Sequence, residues 1–221
     1  VTHQGVLHRQ SAVGHGLLIR GDPLLGGGKT GQAADDADAL VPFSGQAADA
    51  AVAHGFDNIF MVGVGGSMAM LTAASVVWKQ MSNTPVYLEH AAELMTIGNR
   101  QLTEKSLIIT VSKSGDTKEV VEAVKKLKEA GIETCSITGN ADTPLAQVST
   151  YNVYCDAKNL VNMYLPFYYF LFKLLELRGD FPDYQEFADE IDTNLHRFLV
   201  KTAEEFDPRA KEWAHRYHKE P

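Results

Sequence analysis

The sequence has little cysteine and no concentration of positive charge. Only two cysteines occur among 221 residues, Cys135 and Cys155, each in an apolar run and without CxxC spacing. Neither a metal centre nor a disulfide framework is indicated, and we expect free thiols in a reducing, cytoplasmic compartment. With 20 Lys and Arg against 28 Asp and Glu, the formal net charge is -8. This balance gives no electrostatic basis for binding nucleic acid or an anionic membrane.

The sequence also lacks an uninterrupted apolar run that could cross a bilayer. The best candidate, residues 160–177, is broken by Asn162, Pro166, Lys173 and Glu176. We interpret it as a helix that is buried or faces another subunit. Its aromatic side chains surround the helix and do not follow one face, which favours burial over a sugar-stacking platform. They are Tyr164, Phe167, Tyr168, Tyr169, Phe170 and Phe172.

Three parts are predicted along the chain. Residues 1–45 are rich in glycine and show no steady period, so we expect an irregular or non-native segment. The chain begins with Val1 and has no signal pattern, which suggests a fragment or a processed product. Residues 46–160 alternate apolar runs with helical patterns. Residues 161–221 are predicted to form helices.

The regular part predicts a three-layer α/β/α domain with five parallel strands, because most of its strands are apolar on both faces. Strands are predicted at residues 58–64, 85–88, 106–111, 133–138 and 151–155. Helices are predicted at residues 46–54, 67–80, 90–96, 117–130, 144–148, 161–177, 184–199 and 202–218. Gly131 is placed to end its helix in the left-handed conformation.

Two turns with glycine and serine follow predicted strands, at residues 63–67 and 112–117. Ligands of parallel sheets bind beyond the carboxyl ends of strands. In the second turn, hydroxyl groups and the amides of a starting helix converge as an anionic phosphate requires. Its residues with hydroxyls are Ser112, Ser114 and Thr117. The alternative, that Ser114 or Asp116 only caps the helix, accounts for one hydroxyl and not three.

Two nucleotide-binding interpretations fit the sequence less well. The first turn has Met68 where a dinucleotide fingerprint needs a third glycine, although Glu89 lies near the distance of the acidic ribose partner. Residues 26–30 resemble part of a P-loop, but Pro23 stands where that pattern needs a glycine. No cofactor is predicted.

The two turns and the strand pattern resemble a sugar isomerase (SIS) domain, a phosphosugar-binding module, over residues 46–160. The resemblance implies a flavodoxin-like fold and a sugar phosphate held by hydroxyls and backbone amides. The residues it assigns to that ligand are Ser67, Ser112, Lys113 through its amide, Ser114 and Thr117, with Gly65 and Gly66 in the first turn.

Within the family, residues 46–221 are most similar to two-domain enzymes of the fructoselysine-6-phosphate deglycase type. The resemblance implies that Pro221 lies just before a second SIS half, which supplies the glutamate and histidine for acid and base catalysis. The chain alone would then bind a sugar phosphate without turnover. It also implies a homodimer or higher homo-oligomer.

Two other functions stay open. A non-catalytic sugar-phosphate sensor would carry the same turn, although residues 1–45 do not resemble a DNA-binding domain. A self-sufficient aldose-ketose phosphate isomerase would need acid and base groups from Glu93, His90 or a neighbouring subunit. For Glu93 we favour a structural role, binding backbone amides, over catalysis. His90 and Glu93 are too few for a zinc site, so no metal is predicted.

Overall fold

The computed structural model describes residues 17–18, 35–154 and 160–219, and the strands in these ranges form one parallel sheet. The strands are β1 (Leu17–Leu18), β2 (Asn58–Gly63), β3 (Val86–His90), β4 (Ser106–Ser112), β5 (Glu133–Thr138) and β6 (Tyr151–Tyr154). Their order is β1-β6-β5-β4-β2-β3. The predicted five-stranded parallel fold is confirmed by β2 to β6, and β1 adds two residues at one edge.

Helices cover both faces of the sheet and continue beyond it. They are α1 (Asp35–His54), α2 (Gly65–Met81), α3 (Ala91–Thr96), α4 (Lys118–Glu129), α5 (Pro144–Val148), α6 (Leu160–Leu177) and α7 (Tyr184–Tyr217). Gly131 follows α4 with a φ of 80°, as predicted for a left-handed helix end. In the part of the chain that the structure describes, no helix is both long enough and apolar enough for a bilayer.

The prediction of an irregular or non-native segment before residue 46 is wrong at residues 17–18 and 35–45, and the rest of that segment lies outside the described residues. Leu17–Leu18 pairs with β6, and α1 begins at Asp35. The helix packs along α6, where its Ala47, Ala48 and Ala51 are buried in the same core as α6 side chains. Tertiary burial therefore supports a helix whose own sequence pattern is weak. The candidate P-loop at residues 26–30 lies outside the described residues.

The prediction of two helices after residue 184 is also wrong, because α7 is continuous over 34 residues. Val200 and Lys201, where we expected a break, are compatible with helix, and neither glycine nor proline interrupts there. Pro208 lies inside the helix. Its missing N–H removes one backbone hydrogen bond, but the helix continues past it.

Two apolar cores flank the sheet. One core joins the sheet to α1, α2 and α6, and the other joins it to α3, α4 and α5. Side chains along β4 alternate between them, since Ile109 and Val111 enter the first core and Ile108 the second. Thr110 and Ser112 therefore lie on the α4 side of the sheet. Because helices cover both faces of the sheet, a ligand can reach it at the carboxyl ends of the strands.

Candidate functional site

The two predicted turns lie at the carboxyl ends of neighbouring strands. From β2 the chain passes outward to β3 at the edge of the sheet, then returns to β4 on the other side of β2. Met61 of β2 is paired with Ile109 of β4, and both turns begin shortly after this pair. The strand order thus reverses between β2 and β4, which is where open parallel sheets bind ligands.

The turn after β4 brings two hydroxyls together. Ser112 ends β4 with only 4% of its surface exposed. Its Oγ accepts a hydrogen bond from the amide of Gly115 at 3.0 Å and lies 3.4 Å from Oγ1 of Thr117. The Ser112 hydroxyl therefore shapes the turn as an acceptor and keeps its own proton to donate. Two of the three predicted hydroxyls, Ser112 and Thr117, are adjacent.

Contacts with the segment around α5 fix the shape of this turn. The carbonyl of Lys113 accepts from the amide of Gly139 at 3.1 Å, and that of Gly115 accepts from the amide of Leu145 at 2.9 Å. Gly115 has a φ of 65°, and a Cβ there would lie 2.4 Å from Oγ1 of Thr143. Thr143 was not predicted to contact this turn, although Thr143 followed by Pro144 is a typical start of a short helix.

Side chains do not cap the helix that follows. Thr117 is the N-cap of α4 and makes no side-chain capping bond. Ser114 and Asp116 are exposed, and within the described ranges neither side chain has a recorded hydrogen bond. The capping alternative for Ser114 or Asp116 is therefore not observed. The first amides of α4 remain without an intrahelical partner and have the positive end of the helix dipole behind them.

The turn after β2 presents a second helix start at the same edge. Val64 is the N-cap of α2 and makes no side-chain capping bond. The helix begins with Gly65, Gly66 and Ser67, of which the two glycines are exposed and the serine is half-buried. Gly65 has a φ of 54°, a conformation that favours glycine. Two positive helix ends therefore lie at the strand ends where the order reverses between β2 and β4, where parallel sheets leave a cleft for ligands.

The acidic candidates lie on the far side of β2. His90 ends β3 opposite Gly63, and Glu93 is exposed in the first turn of α3. Glu93 thus follows β3, which lies on the other side of β2 from β4. Glu89 accepts a hydrogen bond from Nδ2 of Asn99 at 2.7 Å. Across the described residues, no group of three or more His, Cys, Asp or Glu could hold a metal ion.

A polar row lies within the sheet beneath the β4 turn. Thr110, Ser136 and Asn152 occupy paired positions on β4, β5 and β6, and all three are buried. Oγ of Ser136 donates to Oδ1 of Asn152 at 2.8 Å. Among the described residues, Oγ1 of Thr110 and Nδ2 of Asn152 have no hydrogen-bond partner. Thr110 lies two residues before Ser112, on the same face of β4.

The architecture and the cleft agree with a family match over residues 55–174, to the SIS domain. This chain belongs to the SIS domain family. The match covers β2 to β6, both turns and most of α6. It therefore confirms the family that the resemblance predicted.

Three known proteins illustrate the similarity. Fructosamine deglycase FrlB of Bacillus subtilis is 29% identical over 171 residues, which are 74% of this chain and 51% of FrlB. A Bacillus subtilis protein assigned as a phosphosugar isomerase has a crystal structure that superposes with a TM-score of 0.72 at 26% identity, covering 83% of this SIS chain and 58% of that one. The SIS chain therefore spans little more than half the length of these relatives.

The third is Vibrio vulnificus NanR in complex with ManNAc-6P. It superposes with a TM-score of 0.56 at 21% identity, covering 72% of this SIS chain and 66% of that chain. At this identity the similarity concerns the fold alone. A sugar-phosphate complex is nevertheless known for one protein with this fold.

The two cysteines were predicted to be free thiols. Cys135 is free and fully buried in the sheet. Burial, reinforced by the negative charge of Glu133, raises the pKa of its thiol far above the ordinary value. Cys135 is therefore a protonated core residue of the SIS domain and takes no part in the cleft. Cys155 lies outside the described residues.

Proposed function

We propose that this SIS domain binds the phosphate group of a sugar phosphate in the cleft between the β2 and β4 turns. The observation that carries the proposal is the pair of hydroxyls, Ser112 and Thr117, 3.4 Å apart at the reversal point of the sheet. Ser114, Ser67 and the amides of Lys113, Gly65 and Gly66 complete the proposed set of ligands. Two uncapped helix ends support it.

Neutral donors suit this protein, since its net charge of -8 offers no general attraction for an anion. Hydroxyls and amides that are already oriented by a folded turn lose little entropy when they bind. The bonds that fix Lys113 and Gly115 to the α5 segment provide that orientation. The phosphate would anchor the sugar, and the sugar would extend toward the side of β3.

We further propose that the domain serves in a sugar-phosphate isomerase or a ketosamine 6-phosphate deglycase, as part of a cytoplasmic protein. Such reactions need a base to move a proton between C1 and C2 of the sugar and an acid to assist ring opening. Glu93, in the first turn of α3, is the candidate base that this chain offers. In our proposal the remaining acid and base groups come from outside this chain.

A binding titration with fructose 6-phosphate and fructoselysine 6-phosphate tests the proposed pocket. Hydrogen bonds to a charged group contribute about 1.5–3 kcal/mol each. Ser112→Ala combined with Thr117→Ala should therefore weaken binding by at least about 100-fold. Thr103→Ala removes an exposed hydroxyl before β4, at the opposite edge of the sheet, and should leave affinity unchanged. Equal affinity of the double variant and the parent would reject the pocket.

Turnover assays then separate the enzyme from a sensor. Binding without turnover by the chain alone supports a domain that needs groups from elsewhere. Turnover that Glu93→Gln abolishes would support a self-sufficient isomerase instead. A non-catalytic sensor is the second candidate, because the same turn would bind a sugar phosphate without catalytic groups. In a sensor, Glu93→Gln should leave sugar-phosphate binding unchanged, and no turnover should be detected.

A further inference from the structure

Thr143 is the N-cap of α5, and its side chain packs against the main chain of the β4 turn. A Cβ built on Gly115 would lie 2.4 Å from Oγ1 of Thr143, 2.5 Å from its Cβ and 2.7 Å from its Cγ2. All three heavy atoms of the threonine side chain therefore lie against one face of Gly115. Only 3% of Thr143 is exposed, so the side chain has little room to move away.

The position of Thr143 is fixed by contacts at both ends of α5. At the start, its Oγ1 accepts a hydrogen bond from the amide of Ala146 at 3.1 Å. At the end, the carbonyl of Ser149 accepts one from Nζ of Lys128, in the last turn of α4, at 3.0 Å. A helix of five residues has little stability of its own, so these contacts hold it in place. Thr143 therefore has a defined position relative to the β4 turn.

Gly115 connects Thr143 to the Ser112 hydroxyl. The amide of Gly115 donates to Oγ of Ser112 at 3.0 Å, and its carbonyl accepts from the amide of Leu145 at 2.9 Å. Glycine adopts positive and negative φ about equally readily, so the residue alone does not hold its φ of 65°. Neighbouring groups must hold it, and Thr143 packs directly on this residue.

The direction of the bond between Gly115 and Ser112 matters for an anionic ligand. A serine hydroxyl has one proton, so an Oγ that accepts from an amide is free to donate that proton to another acceptor. Phosphate oxygens without a proton are such acceptors. If the amide of Gly115 turned away, the Ser112 hydroxyl would lose its fixed orientation, and ordering it again would oppose binding.

We infer, on the basis of the proposed sugar-phosphate site, that Thr143 is a positioning residue for the Ser112 hydroxyl. It acts through the main chain of Gly115, while its own hydroxyl caps α5. The two contacts have separate effects. Packing on Gly115 sets the affinity for the sugar phosphate, and the capping bond stabilises the fold.

Two substitutions at Thr143 separate packing from capping. Thr143→Ala and Thr143→Val both remove the capping oxygen, but only valine keeps the shape that packs against Gly115. In calorimetric titrations, Thr143→Ala should weaken fructose 6-phosphate binding about tenfold, and Thr143→Val should bind like the parent. Both variants should melt below the parent, because each lacks the cap.

Leu127→Ala is the control for a general loss of stability. Leu127 is buried in the core beside α4, so its truncation should lower the melting temperature and leave fructose 6-phosphate affinity unchanged. Parent affinity in Thr143→Ala, or equally weak binding by the alanine and valine variants, would overturn the role of Thr143.

Hydrogen exchange of the Gly115 amide tests the same role without a ligand. This amide is bonded to Ser112, so it should exchange about tenfold faster in Thr143→Ala than in Thr143→Val. Equal exchange in the two variants would contradict a positioning role. A parent chain that does not bind fructose 6-phosphate would instead contradict the proposed function, and exchange at Gly115 would still show whether Thr143 holds the turn.

Discussion

The turns after β2 and β4 contain similar residues at the same edge of one sheet, but they are supported differently. In the β4 turn, Gly115 packs against Thr143 and is bonded to Leu145, so the turn is enclosed by the α5 segment. In the β2 turn, a Cβ on Gly65 or Gly66 would meet nothing within 4 Å. The comparison teaches that the β4 turn is fixed by tertiary contacts and offers hydroxyls, whereas the β2 turn is open and offers mainly amides.

Matched glycine substitutions should show this difference most strongly. Gly115→Ala destabilises the fold in two ways. An alanine in the left-handed conformation costs about 1–2 kcal/mol, and its Cβ clashes with Thr143. We expect a total loss of about 3 kcal/mol, or roughly 6–12 °C in melting temperature. Gly65→Ala should cost only about 1 kcal/mol, since it meets no neighbour. Thermal melts of both variants measure the difference, and equal losses would refute the comparison.

Loss of the Ser67 hydroxyl should weaken sugar-phosphate binding less than loss of the β4 pair. Ser67→Ala removes one half-buried hydroxyl but leaves the first amides of α2 in place. We expect about tenfold weaker binding, which corresponds to about 1.4 kcal/mol. Calorimetric titration of the Ser67→Ala variant and of the Ser112 and Thr117 double variant gives the ratio of their dissociation constants. A larger effect at Ser67 would make the β2 turn the dominant contact.

Thr110→Val should stabilise the protein, in contrast to the substitutions in the turns. Thr110 is fully buried, and its hydroxyl has no partner among the described residues. A valine of the same shape therefore avoids the cost of burying an unpaired hydroxyl. We expect a gain of about 1 kcal/mol in the free energy of unfolding, measured by urea denaturation. Thr134→Val is the control, because its hydroxyl has partners at Thr150, and should destabilise.

Cys135 should not react with a thiol reagent in the folded protein. Burial raises the pKa of the thiol, so it stays protonated in the native state at neutral and mildly alkaline pH. As pH rises past about 8.5, the unfolded thiol ionises while the folded one does not, so stability falls. Cys135 should be labelled only after denaturant is added. Labelling in native buffer that Cys135→Ser abolishes would show that the sheet core opens.

Much of the sheet was predictable because parallel strands covered on both faces leave a strong local signal. The apolar runs at residues 58–64 and 106–111 predicted β2 and β4 to within one residue at their ends. The turn residues were also readable, since hydroxyls and glycine after a strand have a direct chemical meaning. The local sequence pattern did not predict that Thr143 packs against Gly115. These two residues are 28 positions apart in the sequence and come into contact only in the folded protein.

The helices were predicted less well, for two different reasons. The start of α1 has a weak apolar pattern, and its later turns are buried by packing on α6, a contact between distant parts of the chain. The continuity of α7 was missed because residues 201–205 carry four polar or charged side chains and interrupt the apolar pattern along the sequence.

The sequence by itself determined the order of strands and helices and the chemistry available at each strand end. Local periodicity and turn residues encode these properties within a few neighbouring positions. Only the tertiary structure decided which ends lie side by side, namely the reversal between β2 and β4 that brings two helix starts to one cleft. It alone also decided that Ser112 and Thr117 approach each other. These features depend on contacts between segments that are distant along the chain, which no local pattern records.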